Sequence, residues 1–285
     1  MIDSHAHLDS ARYDEDRDAM LARASAAGVR GILSIGIGDG PDTMHRAADL
    51  ARQYADQPGV PKIWASAGIH PHEAQLANDE ALAKLDELLA RPEVIACGEI
   101  GLDYFYDHSP RELQQQAFSR QMGLAAKHRQ PIIIHCRPSE NSNNAWDDTL
   151  SQLESEWKPT GLGGILHCFT GTLEHAQKAM ELGFMLSFTG NLTFPKAQAI
   201  REVAAQIPLN RVFIETDCPF LAPVPHRGQR NEPAWVSLVA AKLAELHSLT
   251  PQEIVNQTTT NFENFFGKTL GRSTALGTRE GISCI

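Results

Sequence analysis

The first residues of the chain, "MIDSHAHLD", place two histidines one residue apart in a short apolar run. Side chains at positions i and i+2 of a β-strand point to the same face. If this run is a strand, His5 and His7 direct two imidazoles at one point. Paired imidazoles of this kind are typical metal ligands.

Polar residues end several other apolar runs in the same manner. A single histidine at a strand end is more often a satisfied polar residue than a ligand. Four imidazoles and two carboxylates at one edge exceed what one tetrahedral ion needs, and they match two ions that share a carboxylate. The residues at the ends of these runs, from which such ligands would be drawn, are His5, His7, His70, Glu99, His135, His167 and Asp217.

The elements that position these residues alternate regularly. Eight apolar runs, from "MIDSHAH" to "RVFIETD", are separated by helix-patterned stretches, two of which end at Gly28 and Gly183. Such alternation predicts a parallel sheet covered by helices. Eight units over about 260 residues match a (β/α)8 TIM barrel in the α/β class, which places its site at the carboxyl ends of the strands. An open doubly wound sheet is less favoured, because no GxGxxG turn follows an early strand.

Composition restricts the class of protein. The chain has 285 residues, of which 42% are hydrophobic, so a large core is expected and extensive disorder is not. No apolar run has the length of a membrane span and no leader precedes the first strand, which favours a cytoplasmic protein. The five cysteines form no CxxC pair, as expected of reduced thiols. A single domain over 1–267 and a flexible tail over 268–285 are predicted.

Net charge limits how the protein meets a nucleic acid. The formal charge of −10 argues against a protein that wraps nucleic acid broadly, because phosphate neutralisation requires a basic face. It is compatible with an enzyme that holds one strand end through metal ions and a few arginines.

A family resemblance appears when the motifs are taken together. "HAHLD", "GIHPH", "CGEIGLDYFYD", "PIIIHCR", "HCFTG", "SFTGNLTF" and "ETDCPFLAPVPHRGQRNEP" resemble the successive motifs of TatD-type deoxyribonucleases, in the metal-dependent hydrolase superfamily of TIM barrels. The resemblance implies a deoxyribonuclease of the 3'-5' exonuclease type that acts on single-stranded DNA or a DNA end. It also implies two divalent ions, Mg²⁺ or Mn²⁺ in the active enzyme, although Zn²⁺, Ni²⁺ or Fe could occupy the site in a crystal.

The resemblance also implies a division of the ligands. His5, His7 and Asp217 would hold one ion, His135 and His167 the second, and Glu99 would bridge the two. Asp217 is the candidate that accepts a proton from the attacking water, so Asp217 and Glu99 are the predicted catalytic residues.

Further residues near the strand ends are candidates for weaker roles. Asp3 and Glu215 share parity with the ligands and are predicted to orient imidazoles beneath the ions, with a buried ion pair as the alternative. Arg137, Arg227 and Arg230 could clamp phosphates, or form surface salt bridges. His70 could donate to a phosphate oxygen or cap its loop. Residues Tyr104, Phe105 and Phe169 could stack a base or pack in the core.

Two local predictions concern structure. Cys136, Cys168 and Cys218 each follow a ligand, so they should face away from the ions, toward the helices. Asn231, before Pro233, is predicted to cap a helix.

Other functions remain open on the sequence alone. The same metals could hydrolyse an ester, an amide, a phosphotriester or a misacylated tRNA, and a metal-binding protein without catalysis is a third possibility. No membrane and no obligate protein partner are expected.

Overall fold

The computed structural model describes residues 1–55 and 57–269, with side chains to residue 267. Eight parallel strands form one sheet in chain order. The strands are β1 (Ile2–Ala6), β2 (Gly31–Ser34), β3 (Lys62–Ala67), β4 (Val94–Asp103), β5 (Ile132–Arg137), β6 (Gly164–Leu166), β7 (Phe184–Phe188) and β8 (Val212–Ile214). The predicted (β/α)8 TIM barrel is therefore confirmed, and each predicted apolar run overlaps a strand.

Helices follow the strands in alternation. Gly28 and Gly183, with φ of +85° and +88°, lie just beyond α1 and α6 as predicted. The helices are α1 (Arg17–Ala26), α2 (Arg46–Gln53), α3 (Asp79–Leu89), α4 (Arg111–Lys127), α5 (Asn144–Gln152), α6 (Leu173–Glu181), α7 (Gln198–Ala204), α8 (Val236–His247) and α9 (Pro251–Thr269). Within the described ranges, none of them combines the length and apolar composition that a bilayer crossing requires.

The barrel closes between its first and last strands. A parallel bridge joins Ala6 to Cys218, the amide of His7 donates to the Cys218 carbonyl, and the amide of Asp217 donates to the His5 carbonyl. These contacts extend the pairing beyond the end of β8. They bring the segment that carries Asp217 beside the segment that carries His5 and His7.

Apolar side chains fill both layers of the barrel. One cluster takes a buried residue from most strands, including Leu33, Ile133, Ile165 and Phe213, together with Phe262 of α9. A larger cluster packs the outer strand faces against the helices. This core fixes the strand ends on which the polar residues lie.

Strand β4 is longer than the apolar run predicted. Glu99 lies inside β4, which continues to Asp103, and its pairing with β5 shifts between Cys97 and Ile100. Gly98 and Gly101 flank Glu99 with positive φ, and a Cβ on either would overlap a carbonyl oxygen of β5. Glycine therefore lets β4 approach β5 closely enough to bring Glu99 beside His135.

Helix α9 runs to Thr269, two residues into the predicted tail 268–285. The rest of that prediction, 270–285, lies outside the described residues.

Candidate metal centre

The structure brings all six predicted ligands together at the carboxyl end of the barrel. His5 is the penultimate residue of β1, Glu99 lies on β4 and His135 on β5. His7, His167 and Asp217 follow the ends of β1, β6 and β8. His135 is half-buried and the other five are buried. The side chains are therefore held at a partly enclosed site whose neighbours are other polar groups.

The two oxygens of Glu99 face different histidine pairs. Oε2 lies 3.4 Å from Nε2 of His5 and 3.8 Å from Nε2 of His7. Oε1 lies 2.9 Å from Nδ1 of His135 and 2.7 Å from Nε2 of His167. A carboxylate placed in this way between two nitrogen pairs has the arrangement of a bridging ligand.

Asp217 completes the first of these groups. Its Oδ1 atom lies 3.3 Å from Nε2 of His7 and 3.6 Å from Nε2 of His5. Ligand atoms at about 2.1 Å from a tetrahedral ion are separated from one another by roughly 3.4 Å. The two imidazoles, Asp217 and Oε2 of Glu99 are thus spaced as ligands of one cation are.

His5 shows that the residues fit a metal. The side chain is fully buried, and neither ring nitrogen has a hydrogen-bond partner. The ring stacks on that of His167, with centroids 3.8 Å apart. A buried polar atom without a partner costs about 1–3 kcal/mol. A cation bound by Nε2 of His5 would remove this cost on one side of the ring.

Electrostatics keep the carboxylates ionised. Burial alone would raise the pKa of Glu99, but the charge of His167 and hydrogen bonds from His135 and His167 outweigh it and lower the pKa well below its ordinary value. Burial likewise opposes ionisation of Asp217, yet a hydrogen bond from His7 and nearby imidazole charges lower its pKa. Ionised carboxylates are the form that binds cations.

Glu215 positions His167. Its Oε1 atom lies 3.3 Å from Nδ1 of His167 and accepts a hydrogen bond of 2.7 Å from the Cys168 amide. Contact at Nδ1 leaves Nε2 of His167 directed at Glu99. The predicted role of Glu215, orienting an imidazole, is consistent with this geometry.

Asp103 is a site residue that sequence reasoning missed. Its Oδ2 atom lies 3.0 Å from Nε2 of His135 and 2.9 Å from Nε2 of His72, while Oδ1 accepts from the amides of Phe105 and Tyr106. These hydrogen bonds fix both the His135 ring and the loop after β4. Asp103 follows Glu99 by four residues and ends the strand, so the alternation of strand side chains could have identified it.

His70 caps its loop, which is one of the two roles considered for it. Its Nδ1 atom accepts from the His72 amide, which caps the turn after β3, and Nε2 lies 3.6 Å from Oε1 of Glu99. Burial lowers the pKa of His70 to about 4, although Glu99 opposes this. The ring is therefore neutral and adjoins the second half of the centre.

Comparison with known proteins identifies the family of this chain. The profile described as "TatD related DNase" matches residues 2–267. The chain belongs to the TatD family. An uncharacterized metal-dependent hydrolase of Bacillus subtilis, YabD, is 42% identical over 93% of this chain and 98% of its own. A protein of Enterobacter lignolyticus named 3'-5' ssDNA/RNA exonuclease TatD is 33% identical over 94% of this chain and 99% of its own. The crystal structure of YJJV, a TatD homologue of Escherichia coli, superposes with a TM-score of 0.82 at 30% identity over 94% and 98% of the chains. The protein is accordingly a metal-dependent hydrolase of the TatD family.

The position of Asp3 in this TatD protein differs from the expectation. Strand pairing is irregular between Asp3 and Ala6, so Asp3 does not share a face with His5. Its carboxylate accepts from the amide and hydroxyl of Thr216, at 2.9 and 2.6 Å, and contacts no imidazole. Burial raises the pKa of Asp3 to about 8, although the hydrogen bonds from Thr216 oppose this. Asp3 therefore positions the backbone before Asp217 rather than a ligand ring.

The expectation that Tyr104 and Phe169 stack a base does not agree with their burial. Tyr104 is 2% exposed, and its hydroxyl donates to Asp148 while Arg111 covers the ring. Phe169 is 1% exposed and packs against Trp146. Both rings belong to the core, as the alternative interpretation held. Phe105, the third candidate, is 45% exposed.

The three candidate arginines differ in availability. Arg230 binds both oxygens of Asp16, at 2.8 and 2.7 Å, so it stabilises a loop and is not free to clamp a phosphate. The guanidinium of Arg137 lies 4.2 Å from the ring centre of Phe105. That of Arg227 lies 3.8 Å from the Phe194 ring. Within the described residues, the guanidinium groups of Arg137 and Arg227 have no ion pair or hydrogen bond, so their donors are available.

Asn231 is not a helix cap. Its side-chain amide donates to the carbonyls of Thr216 and Phe220, at 2.9 and 2.6 Å, and its oxygen accepts from the Glu232 amide. The buried side chain therefore ties together the loop that carries Asp217. This contact spans more than ten residues, which is why local helix signals did not predict it.

The cysteine prediction agrees with the contacts of Cys136. Its thiol accepts from the Thr149 hydroxyl of α5, on the helix side of the barrel, and burial raises its pKa. Burial also raises the pKa of Cys168 to about 12. Neutral thiols of this kind are poor nucleophiles.

Proposed function

We propose that this protein is an exonuclease that removes nucleotides from the 3' end of single-stranded DNA with two divalent ions. The observation that carries the proposal is the placement of Glu99, whose two oxygens face separate histidine pairs. Paired ions with a shared carboxylate are suited to in-line displacement at phosphorus. Mg²⁺ or Mn²⁺ is the proposed metal of the active enzyme, because carboxylates and phosphate oxygens suit these ions.

The chain's own residues then have distinct tasks. His5, His7 and Asp217 would hold one ion, His135 and His167 the other, and Glu99 would bridge them. When bound, the ions would acidify a water and neutralise charge on the phosphodiester. Asp217, as an ionised carboxylate beside His7, would accept the proton of that water.

Substrate charge is met locally. The protein has a formal charge of −10, so its surface as a whole does not attract a polyanion. Arg137, the last residue of β5, and Arg227, in the loop after β8, supply guanidinium donors, and no described carboxylate neutralises them. These two arginines are proposed to bind phosphates of the strand.

Relatives support a nucleic-acid substrate. Two relatives, from Enterobacter lignolyticus and Cronobacter turicensis, 33% and 36% identical, are each named 3'-5' ssDNA/RNA exonuclease TatD. Those names include RNA, so RNA is tested beside DNA. A cytoplasmic location stays a prediction, and the four described cysteines, which form no disulfide, are compatible with it.

The test uses chelator-treated protein with single-stranded DNA labelled at its 5' or 3' end. Mg²⁺, Mn²⁺ or no metal is added, with matched RNA, duplex DNA and a carboxylic ester as alternative substrates. The proposal predicts a ladder of shortened 5'-labelled strands and early loss of 3' label, only with metal. Cleavage of the ester with no cleavage of any strand would contradict it and favour an esterase on the same centre.

A further inference from the structure

The large apolar side chains exposed by this protein cluster on one face. Among the described residues, each of them follows the carboxyl end of β3, β4 or β8 and precedes or joins the first turn of the next helix. They are Leu76, Phe105, Tyr106, Leu113, Phe220 and Val224. Exposed apolar surface gathered on the face that holds the metal centre indicates a binding role.

Phe220 lies beside one half of the centre. Its side chain is 53% exposed, and the ring meets that of His7 edge to face, with centroids 5.8 Å apart. The backbone is fixed, because the Phe220 amide donates to the Asp217 carbonyl and the Phe220 carbonyl accepts from Asn231. A rigid backbone thus presents a largely open ring next to two of the ligands.

Tyr106 lies beside the other half. Its side chain is 49% exposed, and its ring meets that of His72 at 5.5 Å. The amides of Phe105 and Tyr106 donate to Asp103, which also contacts His135, and the guanidinium of Arg137 lies 4.7 Å from the Tyr106 ring. The second ring is therefore tied to the second metal-ligand group and carries a cation on its face.

The two rings bracket the centre. Neighbouring rings are in contact from one end to the other, with centroid distances from 3.8 to 5.8 Å. The series is Phe220, His7, His5, His167, His135, His70, His72 and Tyr106. Phe220 and Tyr106 are thus the exposed rings at the two ends of a series that includes four of the predicted ligands. The Tyr106 ring also stacks on that of His108, with centroids 5.5 Å apart.

We propose that Phe220 and Tyr106 each stack one of the two bases that flank the scissile phosphodiester. This inference rests on the proposed nuclease function and names the side chains that would contact the unpaired bases. Aromatic stacking is tolerant of base identity, since every base offers a π-face. A duplex keeps its bases stacked and paired, so a strand end with free bases is the preferred substrate.

The test determines which of the two bases each aromatic ring contacts. Phe220→Ala and Tyr106→Ala are assayed with 5'-labelled strands that carry normal bases, an abasic 3'-terminal nucleotide or an abasic penultimate nucleotide. Stacking of ~1–3 kcal/mol per base predicts that each variant raises KM for the normal strand by about 5- to 150-fold, with little change in kcat. For each variant, the KM should equal that of the wild type on one of the two abasic strands, because the base that the missing ring would stack is absent from it. That strand should be a different one for Phe220→Ala and for Tyr106→Ala. Phe220→Trp should restore the wild-type KM.

A control and a second measurement keep the two proposals separate. Glu181→Gln, an exposed change at the end of α6 and outside this apolar surface, should give the wild-type dependence on bases. Equilibrium binding of the same oligonucleotides, followed by fluorescence anisotropy with Ca²⁺, measures ring–base coupling without cleavage. Equal losses on normal and abasic strands, or no loss, would overturn the stacking inference. Absence of strand cleavage by the wild type would contradict only the proposed exonuclease activity.

Discussion

Nε2 of His167 lies 2.7 Å from Oε1 of Glu99, and both side chains are buried. The other oxygen of Glu99 faces His5, whose ring stacks on that of His167. Glu99 therefore contacts both groups of predicted ligands. Apart from this carboxylate, the two groups meet where the His5 ring stacks on the His167 ring. The proposed pairing of two ions therefore depends on Glu99.

Glu99→Gln is expected to lower hydrolysis by at least about 100-fold and to reduce bound metal below two ions per chain. The amide retains the size of the side chain but supplies one oxygen and no charge, so two adjacent cations would repel each other. Activity, metal content and circular dichroism should be measured together. Glu156→Gln, an exposed change on the helical layer, serves as the control. Wild-type turnover with two ions in Glu99→Gln would refute the bridging role.

Asp103→Asn is expected to weaken binding of the second ion by about 10- to 100-fold while the first site is retained. Asparagine has one side-chain oxygen instead of two. It therefore cannot accept all the hydrogen bonds that Asp103 accepts from His135, His72 and the two loop amides. Isothermal titration calorimetry of the metal-free protein with Mn²⁺ separates the two binding steps. An unchanged second step would show that Asp103 does not hold His135 in position.

Metal removal is expected to lower thermal stability. His5, Glu99 and Asp217 are buried polar groups that a cation would satisfy. Metal at 100 times its Kd adds ~2.7 kcal/mol, which corresponds to a rise in Tm of roughly 4–5 °C for a chain of this size. Differential scanning fluorimetry with chelator and with Mn²⁺ measures the change. Glu99→Gln should show a smaller rise, and an equal rise would point to binding elsewhere.

Gly101→Ala is expected to destabilise the protein by about 2–4 kcal/mol. Gly101 has φ of +132°, and a Cβ there would overlap the His135 carbonyl, so β4 would have to move away from β5. Gly123→Ala, at an open position inside α4, is the matched control and should stabilise by ~0.5–1 kcal/mol. Urea denaturation compares the two. A neutral Gly101→Ala would mean that close approach of the strands is not required.

The barrel could be predicted from sequence because each strand lies in a short apolar run, and most of these runs end in a recognisable polar residue. The ligands followed from that periodicity and from the family motifs. Asp3 was assigned to the wrong face because an irregularity in β1 interrupts the alternation, and no residue type marks it. Asp103 was missed because the predicted apolar run stops before it, whereas β4 continues to Asp103.

Contacts between distant segments decided the remaining positions. Tyr104 faces α5 through Asp148, and Arg230 pairs with Asp16, 214 positions earlier in the chain. Neither contact is indicated by the residues next to it in the sequence. The burial of Tyr104 and the ion pair of Arg230 could therefore be recognised only from the folded structure. Phe220 and Tyr106, which remain exposed, were not distinguishable in the sequence from core aromatics.

The most direct test of the central claim is electron paramagnetic resonance of Mn²⁺-loaded protein together with its metal content. A Glu99 bridge predicts two Mn²⁺ per chain and an exchange-coupled spectrum, which Glu99→Gln converts to that of isolated ions. One ion per chain, or two ions without coupling in the wild type, would contradict the account.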